Sequence, residues 1–327
     1  MNQIERHDAV LGIDISKVTF NVAMLRQGKF KNKRFSNHPD GFKELVCWLH
    51  RQEATRVHAC MEATSHYGEA LAEYLHDEGI VVSVVNPARV KGYAQSELVR
   101  TKTDKTDAAL IARFCLAMKP GLWQPEPQEI RVLRAYVRRL EALIEMRQQE
   151  RNRLEATDAV LAEAIQSHIT YLEQDIQRTQ QKINDHIDNH PPLKDKKQLL
   201  ESIPGIGPAT INIILAEFSQ VQRFKNAKHL AAFIGVAPRL FESGTSVRGR
   251  SRMSKTGRSQ LRKAFFLPAM VALRYNPIIK CFGERLRGSG KTKMQVIGAA
   301  MRKLIHIVYG VLKSGVPFDE NYFVKIA

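Results

Sequence analysis

The sequence lacks several features that define whole classes of protein. It has no window of roughly 18 uncharged apolar residues, the length that a membrane span needs. The N-terminal segment MNQIERHDAVLGID carries acids and no long apolar stretch, which is not typical of a secretory signal peptide. A structural zinc site or a disulfide framework is not indicated, because no C-x-x-C pair occurs among the cysteines Cys47, Cys60, Cys115 and Cys281. We therefore expect a cytoplasmic protein with reduced thiols and no membrane partner.

Internal repeats and low-complexity tracts are also missing. Hydrophobic residues make up 44% of the chain and charged residues 25%, an ordinary globular balance that excludes wholesale disorder. Domains usually hold roughly 100–200 residues, so 327 residues fit two or three of them. We predict three parts: an α/β domain over 1–125, a helical coiled-coil segment over 126–192, and a mostly helical basic domain over 193–327.

Acidic residues are scarce in the last of these parts. The net charge is +3 over 1–125, −3 over 126–192 and +17 over 193–327, so the whole excess lies in the C-terminal part. Such a concentration of positive charge indicates a polyanion partner, and nucleic acid is the usual one. The alternative is a basic surface with no specific partner, since charge alone supplies only non-specific affinity.

The first 125 residues alternate between strand and helix patterns. Residues 9–26 predict strand, turn and strand, and 28–35 predict a third strand. Helical spacing follows over 39–50, then a strand over 56–62, a helix over 66–79, a strand over 80–85 and a helix over 103–119. This order predicts an α/β layer fold whose sheet has a parallel part.

Glycine and proline are absent between Pro127 and Pro191, and apolar residues there recur four and three apart. This pattern is typical of a long coiled-coil helix that folds back or pairs with another chain. It favours a homo-oligomer, a dimer or tetramer; the alternative is a helical hairpin packed on its own chain. Downstream, 199–218 predicts helix, turn and helix, and 238–254 predicts an irregular basic loop.

Four carboxylates fall at the ends of predicted elements. Asp14 ends the first strand, Glu62 ends a later one, and Asp104 and Asp107 share a face at the start of a helix. Oxygen ligands of this kind suit Mg²⁺, and paired ions of this type catalyse phosphodiester chemistry. Each residue also has a plainer interpretation as a turn cap, an edge-strand charge or a helix N-terminal charge.

Two further motifs point to phosphate. The turn IPGIG at 203–207, with Gly205 and Gly207, resembles a helix-hairpin-helix turn, which grips a DNA phosphate through backbone N–H groups; it is otherwise a plain interhelical turn. The run 242–263 contains no acid after Glu242 and is rich in serine and threonine. This run is either a loop that only binds phosphate, or its cations surround a serine nucleophile whose position the spacing does not reveal. The cations with candidate nucleic-acid contacts are Arg248, Arg250, Arg252, Lys255 and Arg258.

Taken together, the blocks GIDISK, CMEATSHYGE, VVNPARVKGYAQS, RTKTDKTD, LLESIPGIG, AAFIGVAPRLFESGTSVRGRSRMSKTG and VLKSGVPFD resemble the DEDD insertion-sequence transposases. That family includes Piv/MooV-type DNA invertases and bridge-RNA-guided recombinases. The resemblance spans nearly the whole chain and is weakest in the helical middle.

The resemblance implies a RuvC-like, RNase H-type first domain with Asp14, Glu62, Asp104 and Asp107 as Mg²⁺ ligands. It places a serine nucleophile in the E-S-G block, at Ser243. The family recombines target and donor DNA through a covalent phosphoserine, directed by a structured bridge RNA. Two other classes remain open: a junction-resolving endonuclease that uses the same carboxylates with water, and a catalytically inactive nucleic-acid scaffold. A sugar-kinase-like or actin-like ATPase would need Gly-rich phosphate loops that 1–125 does not contain.

Overall fold

A computed structural model describes residues 7–63, 66–97, 104–239, 242–243, 247–248 and 252–321. Within these ranges, the side chains of residues 66, 104, 105, 242, 243, 247 and 248 are not described. The chain forms two compact units, residues 1–126 and 127–327.

The first unit follows the predicted alternation of strands and helices. Its elements are β1 (Ala9–Ile15), β2 (Thr19–Arg26), β3 (Lys29–Ser36), α1 (Pro39–Arg51), β4 (Val57–Glu62), α2 (Glu69–Asp77), β5 (Val81–Val85), α3 (Pro87–Ser96) and α4 (Asp104–Met118). Asn86 begins α3, because its side chain accepts a hydrogen bond from the Ala88 amide and Pro87 occupies the first helical position.

The strands form one five-stranded sheet in the order β3-β2-β1-β4-β5. β2 is antiparallel to β1 and to β3, while β4 runs parallel to β1 and β5 runs parallel to β4. The predicted α/β layer fold with a parallel part is therefore confirmed. In this arrangement the carboxyl ends of β1, β4 and β5 lie at the same edge of the sheet.

The two faces of the sheet are covered by different helices. On one face, Leu11, Ile13 and Met61 pack into a core with apolar residues of α1 and α2. On the other, Val10 and Cys60 pack with apolar residues of α4. Successive residues of a strand point to opposite faces, so every second position of β1 and β4 faces α4.

The second unit is mostly helical, as predicted. Its elements are α5 (Gln128–Glu155), α6 (Ala159–Asp188), α7 (Pro191–Glu201), α8 (Pro208–Phe218), α9 (Ala227–Ile234), β6 (Pro238–Arg239), β7 (Glu242–Ser243), β8 (Val247–Arg248), β9 (Arg252–Met253), α10 (Ser259–Ala264), α11 (Phe266–Tyr275), α12 (Pro277–Gly288) and α13 (Lys293–Ser314). Where the sequence predicted an irregular loop over 238–254, the chain forms four short strands.

The long helices α5 and α6 pack against each other in one chain. The predicted seam is buried along much of its length, at Leu133, Val137, Leu172 and Ile183 among others. Near the turn that joins the helices, large apolar side chains stay exposed, with Leu161 at 57%. Within one chain, α5 and α6 thus form the helical hairpin that was the alternative prediction. Oligomerisation stays a prediction.

One helix among the described residues, α13, is long and apolar enough to cross a membrane by length and composition. Over half of its apolar window, 56%, is buried inside the protein. Its core side chains, such as Leu304, Ile305 and Val308, are inaccessible to solvent. This burial is typical of the central helix of a packed unit.

Candidate functional site

Asp14 and Glu62 lie side by side at the carboxyl edge of the parallel strands. Ile13 of β1 pairs with Met61 of β4, so the next step in the same register brings Asp14 opposite Glu62. Neighbouring strands are about 4.8 Å apart, and paired residues of parallel strands point to the same face. Both carboxylates are half-buried, and both face the side of the sheet that α4 covers.

Helix α4 crosses this face in the opposite direction to β1. It approaches the sheet at Gly12, where an added Cβ would lie 1.9 Å from the Ala108 carbonyl oxygen and 2.3 Å from the Ala112 amide nitrogen. Further along the helix, the Cys115 sulfur lies 3.6 Å from Nδ1 of His58, near the start of β4. Because α4 runs from Gly12 toward the amino ends of the strands, its first turn lies at their carboxyl ends.

This direction brings the beginning of α4 to the edge that carries Asp14 and Glu62. Asp107 is half-buried in the first turn, and Asp104 is the first residue of the helix. The fold therefore gathers the backbones of all four predicted carboxylates at one edge. Among the described side chains, which exclude Asp104, no group of three or more His, Cys, Asp or Glu is close enough to hold a metal ion.

A buried polar cluster that was not predicted from the sequence lies at the other end of α4 from this edge. Nε2 of His58 and the Ser83 hydroxyl are 2.9 Å apart, and that hydroxyl donates to the Gly121 carbonyl at 3.0 Å. Cys115 contacts Cys60 and His58, and its hydrogen bond, together with burial, raises the pKa of the Cys60 thiol. The cluster ties β4 and β5 to the last turn of α4 and the segment after it, and so helps fix where that helix packs on the sheet. The alternation His58, Cys60, Glu62 along one strand face was the available signal.

Ser243 lies on a nested β-hairpin of the second unit. The outer ladder pairs Pro238 with Met253 and Arg239 with Arg252. The inner ladder pairs Glu242 with Arg248 and Ser243 with Val247. Ser243 is therefore the last residue of β7, with its backbone paired in the inner ladder.

The predicted cations of this region differ in their surroundings. Arg250 lies outside the described residues, and for Arg248 only the backbone is described. Arg252 and Lys255 are exposed. Arg258 forms an ion pair with Glu217, a side chain only 12% exposed, and its guanidinium lies 5.1 Å from the centre of the Phe233 ring.

Glu217 is surrounded by arginines. Besides Arg258, it has Arg134 at 3.5 Å and Arg138 at 3.7 Å, both on α5. Arg258 thus helps neutralise a largely buried carboxylate, a structural task that does not require nucleic acid.

The IPGIG turn joins α7 to α8. Gly205 has φ +103°, and an added Cβ would lie 2.7 Å from the Ala272 Cβ on α11, so packing accounts for this glycine. Gly207 is exposed at the start of α8, with open space where a Cβ would stand. Of the two predicted glycines, Gly207 is the one on an accessible surface.

Comparisons with known proteins identify relatives of the whole chain. A family model of the IS110-type DEDD group, described as a transposase, matches residues 11–164, and one for the transposase IS116/IS110/IS902 family matches residues 197–284. The chain is 36% identical over 315 residues to pilin gene-inverting proteins of Moraxella bovis and Moraxella lacunata, covering 95% of this chain and 98% of theirs. It is 28% identical over 162 residues to the insertion element IS110 uncharacterized 43.6 kDa protein of Streptomyces coelicolor, covering 50% of this chain and 39% of that protein.

Proposed function

The chain belongs to the IS110 family of transposases, and from that premise we propose that it recombines DNA with a carboxylate site in its first unit and Ser243 as the nucleophile in its second. Both full-length relatives are named for inverting a gene, which is cutting and rejoining of DNA. The finer assignments, a RuvC-like domain, Mg²⁺, a phosphoserine and a guide RNA, are proposals.

The observation that carries the proposal is the gathering of carboxylates at one sheet edge. Asp14 and Glu62 are neighbours by register, and α4 brings Asp104 and Asp107 to the same edge. Two parallel strands and a crossing helix are rigid supports, which a reacting phosphate needs. The same five-stranded arrangement supports a RuvC-like assignment for the first unit.

The donor chemistry at this edge fits Mg²⁺, which prefers carboxylate oxygens and keeps several waters. Asp14, Glu62, Asp104 and Asp107 would hold the ion. When bound, Mg²⁺ would polarise the scissile phosphate and stabilise the charge that develops there. Without it, carboxylates alone would repel the DNA backbone.

Ser243 would form the covalent bond to DNA. Its Oγ attacks phosphorus, a Ser–O–P bond forms, one P–O bond of the strand breaks, and the hydroxyl proton ends on the departing DNA oxygen. The reverse attack by a DNA hydroxyl restores the serine and rejoins strands without ATP. The cations that follow in the sequence, including Arg252 and Lys255, would stabilise the crowded phosphate charge.

We propose further that a structured RNA directs the choice of DNA. The support is the family resemblance and the +17 net charge of 193–327, which favours a polyanion partner. The nucleic acid that copurifies with the protein tests this directly. Ribonuclease should remove it and sequencing should return one RNA; a copurifying population of DNA alone would contradict a guide.

The experiment that tests the serine uses a nicked suicide DNA substrate with Mg²⁺. Wild-type protein should give a denaturant-resistant protein–DNA adduct, and mass spectrometry should place the phosphate on Ser243. Ser243→Ala should bind DNA and form no adduct. Ser254→Ala is the matched control from the same basic run, and it should form the adduct normally.

Two outcomes would contradict this mechanism. If Ser243→Ala cleaves DNA at the wild-type rate, the serine is not the nucleophile, and a junction-resolving endonuclease that uses water takes its place. If adducts form on Ser254, the nucleophile is assigned to the wrong serine.

A further inference from the structure

A cleft of about 610 Å³ in the second unit plays no part in the chemistry proposed above. Its walls come from α12, α13 and the outer ladder of the nested hairpin. The described residues that line it include no aspartate or glutamate. The volume falls in the range of small-molecule sites, roughly 300–1,000 Å³. We call it the α12–α13 cleft.

One wall of the cleft is apolar. Phe282 and Leu286 of α12 and Met253 of β9 contribute to it. The floor is made of small residues, because Gly298 and Ala299 face the cleft from α13. A Cβ on Gly298 would lie 3.0 Å from the terminal methyl of Met253, so the glycine lets the strand lie close to the helix.

Another part of the lining is basic. Arg302 and Lys303 lie one turn before His306 on α13, and the exposed Arg252 and Lys291 also line the cleft. Nε of Arg302 and Nε2 of His306 are buried and have no hydrogen-bond partner in the described structure. Buried polar atoms are nearly always bonded, so two such atoms on residues that line one cleft make this cleft a candidate ligand site.

The cations of the cleft also act on one another. Burial and the charges of Arg302, Lys303 and Lys228 lower the pKa of His306. Burial and Arg285 likewise lower the pKa of Lys303. An anion in the cleft would relieve this repulsion and would pair with the guanidinium of Arg302.

We propose that the α12–α13 cleft binds one unpaired nucleotide of single-stranded DNA, with the base against Phe282, Met253 and Leu286 and the phosphate on Arg302 and His306. An apolar wall beside buried cations matches the two parts of a nucleotide. The face of a base is accessible only when it is unstacked, and base–aromatic contacts of this type anchor single strands. A duplex would present phosphates to the rim and no base to the wall.

The location gives this site a role in the proposed function, on which the inference rests. Arg252 and Met253 belong to the strand that closes the hairpin carrying Ser243. Strand cutting and exchange leave unpaired nucleotides next to the nucleophile. A cleft attached to the same hairpin would hold such a nucleotide while the strand is exchanged.

The test measures binding of the full-length protein to a dye-labelled ten-nucleotide DNA by fluorescence anisotropy, without Mg²⁺. Arg302→Gln should weaken binding of single-stranded DNA about tenfold and leave duplex binding within about twofold. Arg287→Gln removes the same charge from α12 outside the cleft and should change neither. Ala299→Phe fills the cleft without changing charge and should reproduce the selective loss, with melting temperatures checking that each variant is folded.

Two further probes decide which ligand the cleft binds. An abasic oligonucleotide should bind wild-type protein more weakly than the complete oligonucleotide does, and Ala299→Phe should not weaken its binding further. If both oligonucleotides bind equally well and lose the same affinity in Ala299→Phe, the cleft binds phosphate alone and the proposal is wrong. If an RNA of the same sequence binds more tightly than the DNA, and Arg302→Gln and Ala299→Phe weaken only RNA binding, the occupant is RNA and the proposal is wrong. Loss of duplex and single-strand binding together would also overturn it. Since these assays contain no Mg²⁺ and no cleavage, failure of adduct formation would count against the serine mechanism alone.

Discussion

The close approach of α4 to Gly12 provides a direct test of how the carboxylate edge is built. In Gly12→Ala, the new Cβ would lie 1.9 Å from the Ala108 carbonyl oxygen and 2.3 Å from the Ala112 amide nitrogen. Non-bonded atoms rest at about 3.5 Å, so α4 must move out by about 1.5 Å. Both obstructing atoms belong to the backbone, so no side-chain rotation relieves the contact.

The displacement should lower both stability and activity. Overpacking of this kind costs about 1–3 kcal/mol, which for a unit of this size lowers the melting temperature by roughly 4–12 °C. The same shift moves Asp104 and Asp107 relative to Asp14. A 1 Å misplacement of catalytic groups can reduce a rate about 100-fold, so the adduct should form about 100 times more slowly.

Two measurements make this prediction decisive. Thermal unfolding gives the stability, and single-turnover adduct formation on the suicide substrate, below the melting temperature, gives the rate. Gly92→Ala is the matched control, because no atom lies within 4 Å of its added Cβ and its helix should gain up to about 1 kcal/mol. DNA affinity should not change, since the positive charge lies in 193–327.

The result that would refute the reasoning is a separation of the two effects. If Gly12→Ala melts several degrees lower yet forms the adduct at the wild-type rate, α4 does not position the carboxylates. If the variant melts at the wild-type temperature, the approach of α4 to the sheet is wrong.

Three other predictions follow from particular contacts. Asp14→Asn keeps the side-chain volume, so it should fold normally, lose adduct formation, and lose the Mg²⁺-dependent rise in melting temperature that a bound ion produces; a normal adduct yield would remove Asp14 from the site. Lys255→Ala should reduce the slope of log affinity against log salt by about 0.9, while Arg258→Ala should leave the slope unchanged and lower the melting temperature, because Arg258 is paired with Glu217; equal slopes for both variants would contradict the distinction. The double substitution Leu161→Gln and Ile165→Gln should reduce the mass measured by light scattering, because the exposed end of the helical hairpin is expected to join chains. An unchanged mass would mean that this end does not join chains.

Local sequence patterns were sufficient to predict most elements of the first unit. β-Branched and apolar residues with their turn signals predict three strands over 9–35, and the structure forms β1 to β3 over 9–36, because strand periodicity depends on neighbouring residues alone. The candidate carboxylates were also accessible to sequence reasoning, since each stands at the end of an element. The two small ladders of the nested hairpin were missed, because two-residue strands have no periodicity to detect.

The tertiary structure distinguishes residues that look alike in the sequence by the contacts that each one makes. Arg258 and Lys255 look alike in the sequence, but only the fold brings Arg258 to Glu217, a residue 41 positions away. Gly205 matches a phosphate-binding turn, yet its conformation and its contact with Ala272 give it a packing role. The buried seam of α5 and α6 is compatible with one chain or two, and packing within the chain satisfies most of it. In each case the contact that distinguishes the residues joins positions far apart in the chain. A local sequence pattern does not tell which distant positions come together in the fold.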